Sequence, residues 1–83
     1  MTYIIARNRI DFQNFCRKEN IAQAQLLRTA KEAAAIQHIG KNDTLVLLPE
    51  YGQTPLGIGD ELKAVKERFH KNGAELRYVA SAK

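Results

Sequence analysis

The sequence predicts an α/β fold in which helices cover both faces of a four-stranded parallel sheet. One observation is the uninterrupted apolar run T-L-V-L-L-P at residues 44–49. A run without polar alternation is typical of a strand that is buried on both faces, as in a parallel sheet between helices. A second observation is that strand-like and helix-like segments alternate along the chain, which predicts βαβ units.

The chain begins with a strand and a helix. Residues 2–7 are rich in β-branched and aromatic side chains and predict a first, largely buried strand. Asn8 is placed to cap the following helix, and Asp11 three residues later completes a variant of the capping box. We predict the helix over residues 9–19. Its apolar stripe, at core spacing i, i+3 and i+4, comprises Phe12, Phe15 and Cys16.

Residues 21–39 allow two interpretations. The segment is rich in strong helix formers, and Asn20 with Gln23 would cap it as one long helix. In that case the sheet would have three strands, because no second strand would remain between the first helix and the apolar run.

A strand followed by a helix is the interpretation that we favour for this segment. Thr29 and Glu32 form a second capping box in its middle, and Gly40 provides a helix stop. We therefore predict a strand at residues 25–28 and a helix at residues 30–38.

The second half of the chain contributes a strand, a helix and an edge strand. The apolar strand is predicted over residues 43–49, and the last helix begins at Gly59 or Asp60 and ends at the Asn-Gly pair 72–73. Residues 74–80 alternate enough to form an edge strand. With right-handed crossovers the economical strand order is 2-1-3-4, which defines a miniature Rossmann-like domain of three layers.

Length and composition predict a single domain over residues 1–83. The 45% of hydrophobic and 27% of charged residues are ordinary for a globular protein. The longest apolar run is far shorter than the roughly 20 residues of a spanning helix, and the N-terminus does not resemble a secretory signal. We therefore expect a cytoplasmic protein without membrane contact. The single cysteine, Cys16, cannot form an internal disulfide, which suits a reducing compartment.

The net charge of +4 is unevenly distributed. Residues 1–42 carry seven basic and three acidic side chains, whereas residues 43–83 carry six of each. The excess lies wholly in the first half and favours an anionic partner there. The alternative interpretation is a solvated basic surface that has no partner.

Strand order 2-1-3-4 predicts a crevice between the carboxyl ends of strands 1 and 3, where the order reverses. The candidate binding residues at that edge are Arg7, Asn8, Arg9, Arg28, Glu50, Tyr51 and Gln53. Arginines there can hold a phosphate or carboxylate through bidentate hydrogen bonds. Alternatively, Arg7 or Arg9 pairs with Glu50 or Asp11 at the surface, which contributes little free energy. Tyr51 either stacks on a partner or folds back over the end of the sheet.

Recognised motifs for catalysis, metals and nucleotides are missing from the sequence. Gly57 and Gly59 match only the first two glycines of the dinucleotide fingerprint, and they do not follow the first strand. No Cys, His or Asp cluster has metal-ligand spacing, and neither histidine has a serine or cysteine partner. Glu50 is the only carboxylate at the predicted crevice. We therefore predict no enzymatic activity, no cofactor and no bound metal.

The order of sequence features also suggests a relationship. Y-I-I-A-R-N runs into F-Q-N-F-C-R-K-E-N, an apolar strand ends in a tyrosine-bearing loop, and K-N-G-A-E-L-R-Y-V closes the last helix. In these respects the chain resembles the small uncharacterised Rossmann-like proteins of tailed bacteriophages. The resemblance implies an accessory protein in the host cytoplasm, and it transfers no functional residues.

The sequence favours a small non-enzymatic binding module that acts on a host protein or a nucleic acid. An alternative of another class is a small-ligand domain that holds a nucleotide or phosphorylated metabolite in the crevice with Arg7, Asn8 and Gln53. A further prediction is a homodimer formed by pairing of the exposed edge strand between two copies.

Overall fold

The computed structural model describes residues 1–49 and 60–79. Its elements, in chain order, are β1 (Thr2–Ile5), α1 (Arg9–Lys18), β2 (Ala24–Leu27), α2 (Ala30–Ala34), β3 (Thr44–Leu47), α3 (Glu61–Lys71) and β4 (Glu75–Tyr78). All strand pairs are parallel, and the sheet order is β2-β1-β3-β4. The predicted α/β class and strand order are therefore confirmed.

Two apolar clusters, one on each face of the sheet, form the core. α1 covers one face, where Phe15 packs with Ile4 and Val46. α2 and α3 cover the opposite face, where alternate residues of the same strands join the buried residues of both helices. Because β3 is covered on both faces, Val46 and Leu48 belong to one cluster and Leu45 and Leu47 to the other. This double burial explains the missing polar alternation in β3.

Residues 21–39 form a strand and a short helix, so one long helix is the wrong interpretation. Asn20 adopts a positive φ of 55°, which ends α1 instead of starting a new helix. The predicted capping box opens α2: the Glu32 amide donates to Thr29 Oγ1 at 3.2 Å, and the Thr29 amide donates to Glu32 Oε1 at 3.0 Å. β2 lies one residue before its predicted position, at Ala24–Leu27.

α2 is shorter than predicted, because it ends at Ala34 and not at residue 38. A helix that reached residue 38 would need the Ala33 carbonyl to accept from the amide of Gln37, four residues later. Instead, the Ala33 carbonyl accepts from the Ile36 amide at 3.2 Å and from the guanidinium of Arg68 on α3, which also donates to the Ile36 carbonyl. The Gly40 amide donates to Asp43 Oδ2 at 2.8 Å. Contacts with distant residues therefore replace the last turn of the predicted helix.

β4 is an edge strand, as predicted, and among the described strands it pairs only with β3. Gly73 precedes it with a φ of 84°, and α3 ends at the Asn-Gly pair 72–73, as predicted. The hydroxyl of the exposed Tyr78 accepts a hydrogen bond from Lys66 Nζ at 3.1 Å. Pairing of this edge between two copies stays a prediction.

Across residues 1–49 and 60–79, none of the helices combines the length and the apolarity that crossing a bilayer requires.

Asp43 ties the beginning of β3 to two neighbouring segments. Its Oδ2 accepts from the Gly40 amide at 2.8 Å, and its Oδ1 pairs with the amino-terminal ammonium of Met1 at 3.0 Å. These contacts, the hydrogen bond from Gly40 first among them, hold the pKa of Asp43 below its ordinary value.

We expect the stability of the fold to decrease at acidic pH as Asp43 becomes protonated. A lowered folded-state pKa means that the carboxylate stabilises the fold above its unfolded pKa of about 4, and that this contribution is lost as pH falls through the folded value. Asp43→Asn should lower the free energy of unfolding by about 1 kcal/mol at pH 7 and reduce its dependence on acidic pH. Urea denaturation at a series of pH values measures both effects.

Asp60→Asn is the matched control, because Asp60 is exposed and makes no side-chain capping hydrogen bond to α3. An acid dependence that is the same in Asp43→Asn as in the unmodified chain would contradict the role given to Asp43.

Candidate functional site

The carboxyl-end edge of the sheet is where the predicted binding residues were expected to meet. The strands are parallel, so the ends of β1, β2 and β3 share this edge, and the order reverses between β1 and β3. Arg7 and Asn8 follow β1, Arg9 opens α1, and Arg28 directly follows β2. The other three predicted residues lie outside the described residues: Glu50, Tyr51 and Gln53. The structure therefore describes the β1 and β2 side of the predicted crevice.

Arg7 forms an ion pair at this edge. Its Nε lies 2.6 Å from Asp11 Oδ2, one helical turn further along the chain. The two side chains are 40% and 31% exposed, and pairs this exposed contribute only about 0–1 kcal/mol to stability. The pairing of Arg7 with Asp11 was one of the alternatives left open by the sequence, and its main effect is to compensate the Asp11 charge.

Asn8 has a structural role at the start of α1. Its backbone is extended, with φ −154° and ψ 171°, and its Oδ1 accepts from the Asp11 amide at 2.8 Å. This geometry is that of a helix N-cap, as the sequence predicted. The hydrogen bond fixes the side chain, so a ligand that used Asn8 Oδ1 would have to compete with the cap.

Arg9 and Arg28, like Arg7, are exposed cations at this edge. Neither guanidinium forms a salt bridge within residues 1–49 and 60–79. The backbone amide of Arg28 donates to Glu32 Oε1 at 3.0 Å, so the capping box of α2 also holds the Arg28 backbone in place. The arrangement presents positive charge on a surface and suits a phosphate or carboxylate on a partner.

Cys16 lies on the inner side of α1. It packs at the edge of the cluster that contains Phe15, and burial raises the pKa of its thiol. A raised pKa leaves the thiol protonated and weakly nucleophilic at neutral pH. Within the described residues, no three side chains of the His, Cys, Asp and Glu types are grouped so that they could bind a metal ion.

A small cavity between α2 and α3 was not predicted from the sequence. It has a volume of about 230 Å³, and its lining consists of Ala33, Ala34, Glu61, Ala64, Val65, Arg68 and Phe69. This is below the roughly 300–1,000 Å³ of typical ligand pockets. Arg68 Nη1 donates to the Ala33 carbonyl at 3.2 Å, which joins the two helices beside the cavity. The sequence signal for this contact was the spacing of Arg68 from Val65 and Phe69. That spacing places Arg68 beside the apolar stripe of α3.

The fold and its basic edge define a small α/β protein with a doubly wound parallel sheet and exposed cations near the point where the strand order reverses. No family model matches the chain, and comparison with curated proteins and with solved structures found no similar protein. The function is accordingly inferred from the charges, contacts and exposure of the described residues.

Proposed function

We propose that this protein is a small non-enzymatic binding module that recognises a nucleic acid through its basic first half. The observation that carries the proposal is the pair of exposed guanidinium groups, Arg9 and Arg28, at the carboxyl-end edge. Asp11, the acidic residue nearest to Arg9 in the sequence, is already compensated by Arg7. Exposed arginines on an open surface favour the phosphates of a polymer, which supply many contacts of the same kind.

The proposal includes a cellular setting. The resemblance to small proteins of tailed bacteriophages supports an accessory protein that acts in the cytoplasm of an infected host. An acidic host protein is the other partner to which the same cations would bind.

Fluorescence anisotropy with labelled DNA and RNA oligonucleotides tests the nucleic-acid partner. At about 50 mM salt we expect binding that weakens steeply as salt is added, because neutralised phosphates release counterions. Arg9→Ala and Arg28→Ala should each weaken binding, and each should reduce the slope of log K against log salt by about 0.9 for every lost phosphate contact on duplex DNA. Lys63→Ala is the matched control, since Lys63 is exposed on α3 in the neutral half.

Absence of binding to every oligonucleotide at about 50 mM salt would overturn the nucleic-acid proposal. Affinity capture from host lysate, with and without nuclease, would then test the acidic-protein partner. The partner would be a protein that is still captured after nuclease treatment and that the Arg9→Ala and Arg28→Ala variants no longer capture.

A second candidate function is the binding of a nucleotide or phosphorylated metabolite. The reversal of strand order between β1 and β3 favours it, because open α/β sheets bind ligands at such positions. A ligand that binds only the folded state raises the melting temperature, so a thermal-shift screen of nucleotides tests it. We expect any such rise to disappear in Arg7→Ala, and a screen without a rise would exclude this candidate.

A further inference from the structure

The outward side of α1 is a continuous exposed surface. At about 100° per residue, its exposed positions cover roughly half of the helix circumference. These positions, which we call the α1 outer face, are Arg9, Ile10, Gln13, Asn14, Arg17 and Lys18. They comprise three cations, two amides and an isoleucine that is 67% exposed. The surface therefore combines positive charge with groups that can make specific contacts.

The acidic side chains next to this surface are compensated by arginines from outside the helix. Asp11 pairs with Arg7, which precedes α1, at 2.6 Å. Glu19, the residue that caps the end of α1, pairs with Arg77 of β4 at 2.7 Å. The guanidinium of Arg77 also lies over the Phe15 ring, 5.7 Å from its centroid. Because both acids are occupied in this way, the field of the α1 outer face stays positive.

The position of α1 in the fold leaves its outer side uncovered by the other two described helices. Among the described elements it is the only helix on its face of the sheet, since α2 and α3 contribute to the cluster on the opposite face. Its inner side is held by Phe15, which belongs to the core cluster, and by Phe12 and Cys16, which pack against that cluster. The surface of a single helix is convex, so it fits a groove better than it fits a flat surface.

We infer that the α1 outer face binds in the major groove of duplex DNA, an inference that rests on the proposed nucleic-acid function. Arg9 and Lys18 are nine residues apart, which at about 100° per residue places them on opposite flanks of the α1 outer face. The major groove of B-DNA is about 12 Å wide and admits one α-helix. When α1 lies in the groove, Arg9 and Lys18 are therefore placed to reach phosphates on its opposite sides.

The middle of the α1 outer face has the chemistry for contacts with bases. Gln13 and Asn14 carry amides, which make paired hydrogen bonds to adenine, and Ile10 offers an apolar contact for the thymine methyl group. These groups favour A·T base pairs. An RNA duplex is disfavoured because its major groove is deep and narrow, and the α1 outer face has no aromatic ring on which single-stranded bases could stack.

Anisotropy titrations of the full chain test this inference. The probes are A·T-rich and G·C-rich DNA duplexes of about two helical turns, an RNA duplex and single-stranded DNA, each at several salt concentrations. We expect the tightest binding to A·T-rich duplex DNA. Arg17→Ala and Lys18→Ala should each reduce the salt slope by about 0.9. Gln13→Ala should reduce the ratio of the affinities for A·T-rich and G·C-rich duplexes about tenfold.

All three substituted side chains are exposed, so the variants should fold, and circular dichroism with urea denaturation verifies that they do. Lys63→Ala on α3 is again the charge-matched control. Two results would overturn the inference while leaving the proposed function intact. One is binding that Arg28→Ala weakens but Arg17→Ala and Lys18→Ala do not. The other is equal or tighter binding to the RNA duplex. Failure to bind any nucleic acid would overturn the proposed function as well.

Discussion

Replacing Phe69 with alanine is expected to lower the free energy of unfolding by about 3–5 kcal/mol. Phe69 is 1% exposed, in the cluster between the sheet and the helices α2 and α3. Its ring meets the ring of Tyr3 at a centroid distance of 5.5 Å and an interplanar angle of 72°. The substitution removes buried apolar area, opens a cavity and breaks this edge-to-face contact.

A loss of that size is large for an 83-residue chain, because domains of this length have about 4–12 kcal/mol of total stability. Urea denaturation followed by circular dichroism measures the change. Phe69→Leu should retain most of the buried volume and lose less. Phe12→Ala is the matched control, since Phe12 is only partly buried on the other face. Equal losses in Phe69→Ala and Phe12→Ala would contradict the central position assigned to Phe69.

Replacing Arg68 with methionine is expected to lower the free energy of unfolding by about 2 kcal/mol. The guanidinium donates to the carbonyls of Ala33 and Ile36, where α2 gives way to irregular chain. Hydrogen bonds from charged donors are worth more than neutral ones, and methionine keeps the apolar stem while removing both donors. The effect should be concentrated at the contact between α2 and α3.

Hydrogen exchange resolved by residue distinguishes this local effect from a general loss of stability. We expect amides in and after α2 to exchange faster in Arg68→Met than can be explained by global unfolding alone. Arg68→Lys should restore only part of the loss, because a single ammonium lacks the forked geometry that serves two carbonyls. Lys63→Met, an exposed change on the same helix, is the control. Full stability in Arg68→Met would show that α2 ends for another reason.

The order of elements followed from the sequence because the signals that define it are local. The apolar run of β3 indicated burial on two faces, and the box formed by Thr29 and Glu32 placed the start of α2. The end of α2 could not be predicted in this way. It depends on a hydrogen bond between Arg68 and Ala33, which are 35 positions apart, and propensity within the segment favours a longer helix.

In the candidate site, too, contacts between residues close in the sequence could be predicted, whereas contacts between distant residues could not. Asn8 and Arg7 contact Asp11 at separations of three and four residues, so the sequence predicted the cap and included the ion pair among its alternatives. The pair between Arg77 and Glu19 joins positions 58 apart and depends on how β4 lies relative to α1. Because that pair could not be detected from the sequence, the sequence could not show which acids near α1 are compensated.

The central position of β1 makes the basic half of the chain dependent on the neutral half. β1 pairs with β2 on one side and with β3 on the other, and β3 lies beyond residue 42, where the excess of positive charge ends. A fragment of residues 1–42 would leave one hydrogen-bonding edge of β1 unpaired and would expose Ile4 and Ile5, which are fully buried in the complete sheet. The cations therefore cannot act as an autonomous basic peptide, and any binding they support requires the cooperative assembly of strands that are distant in the chain.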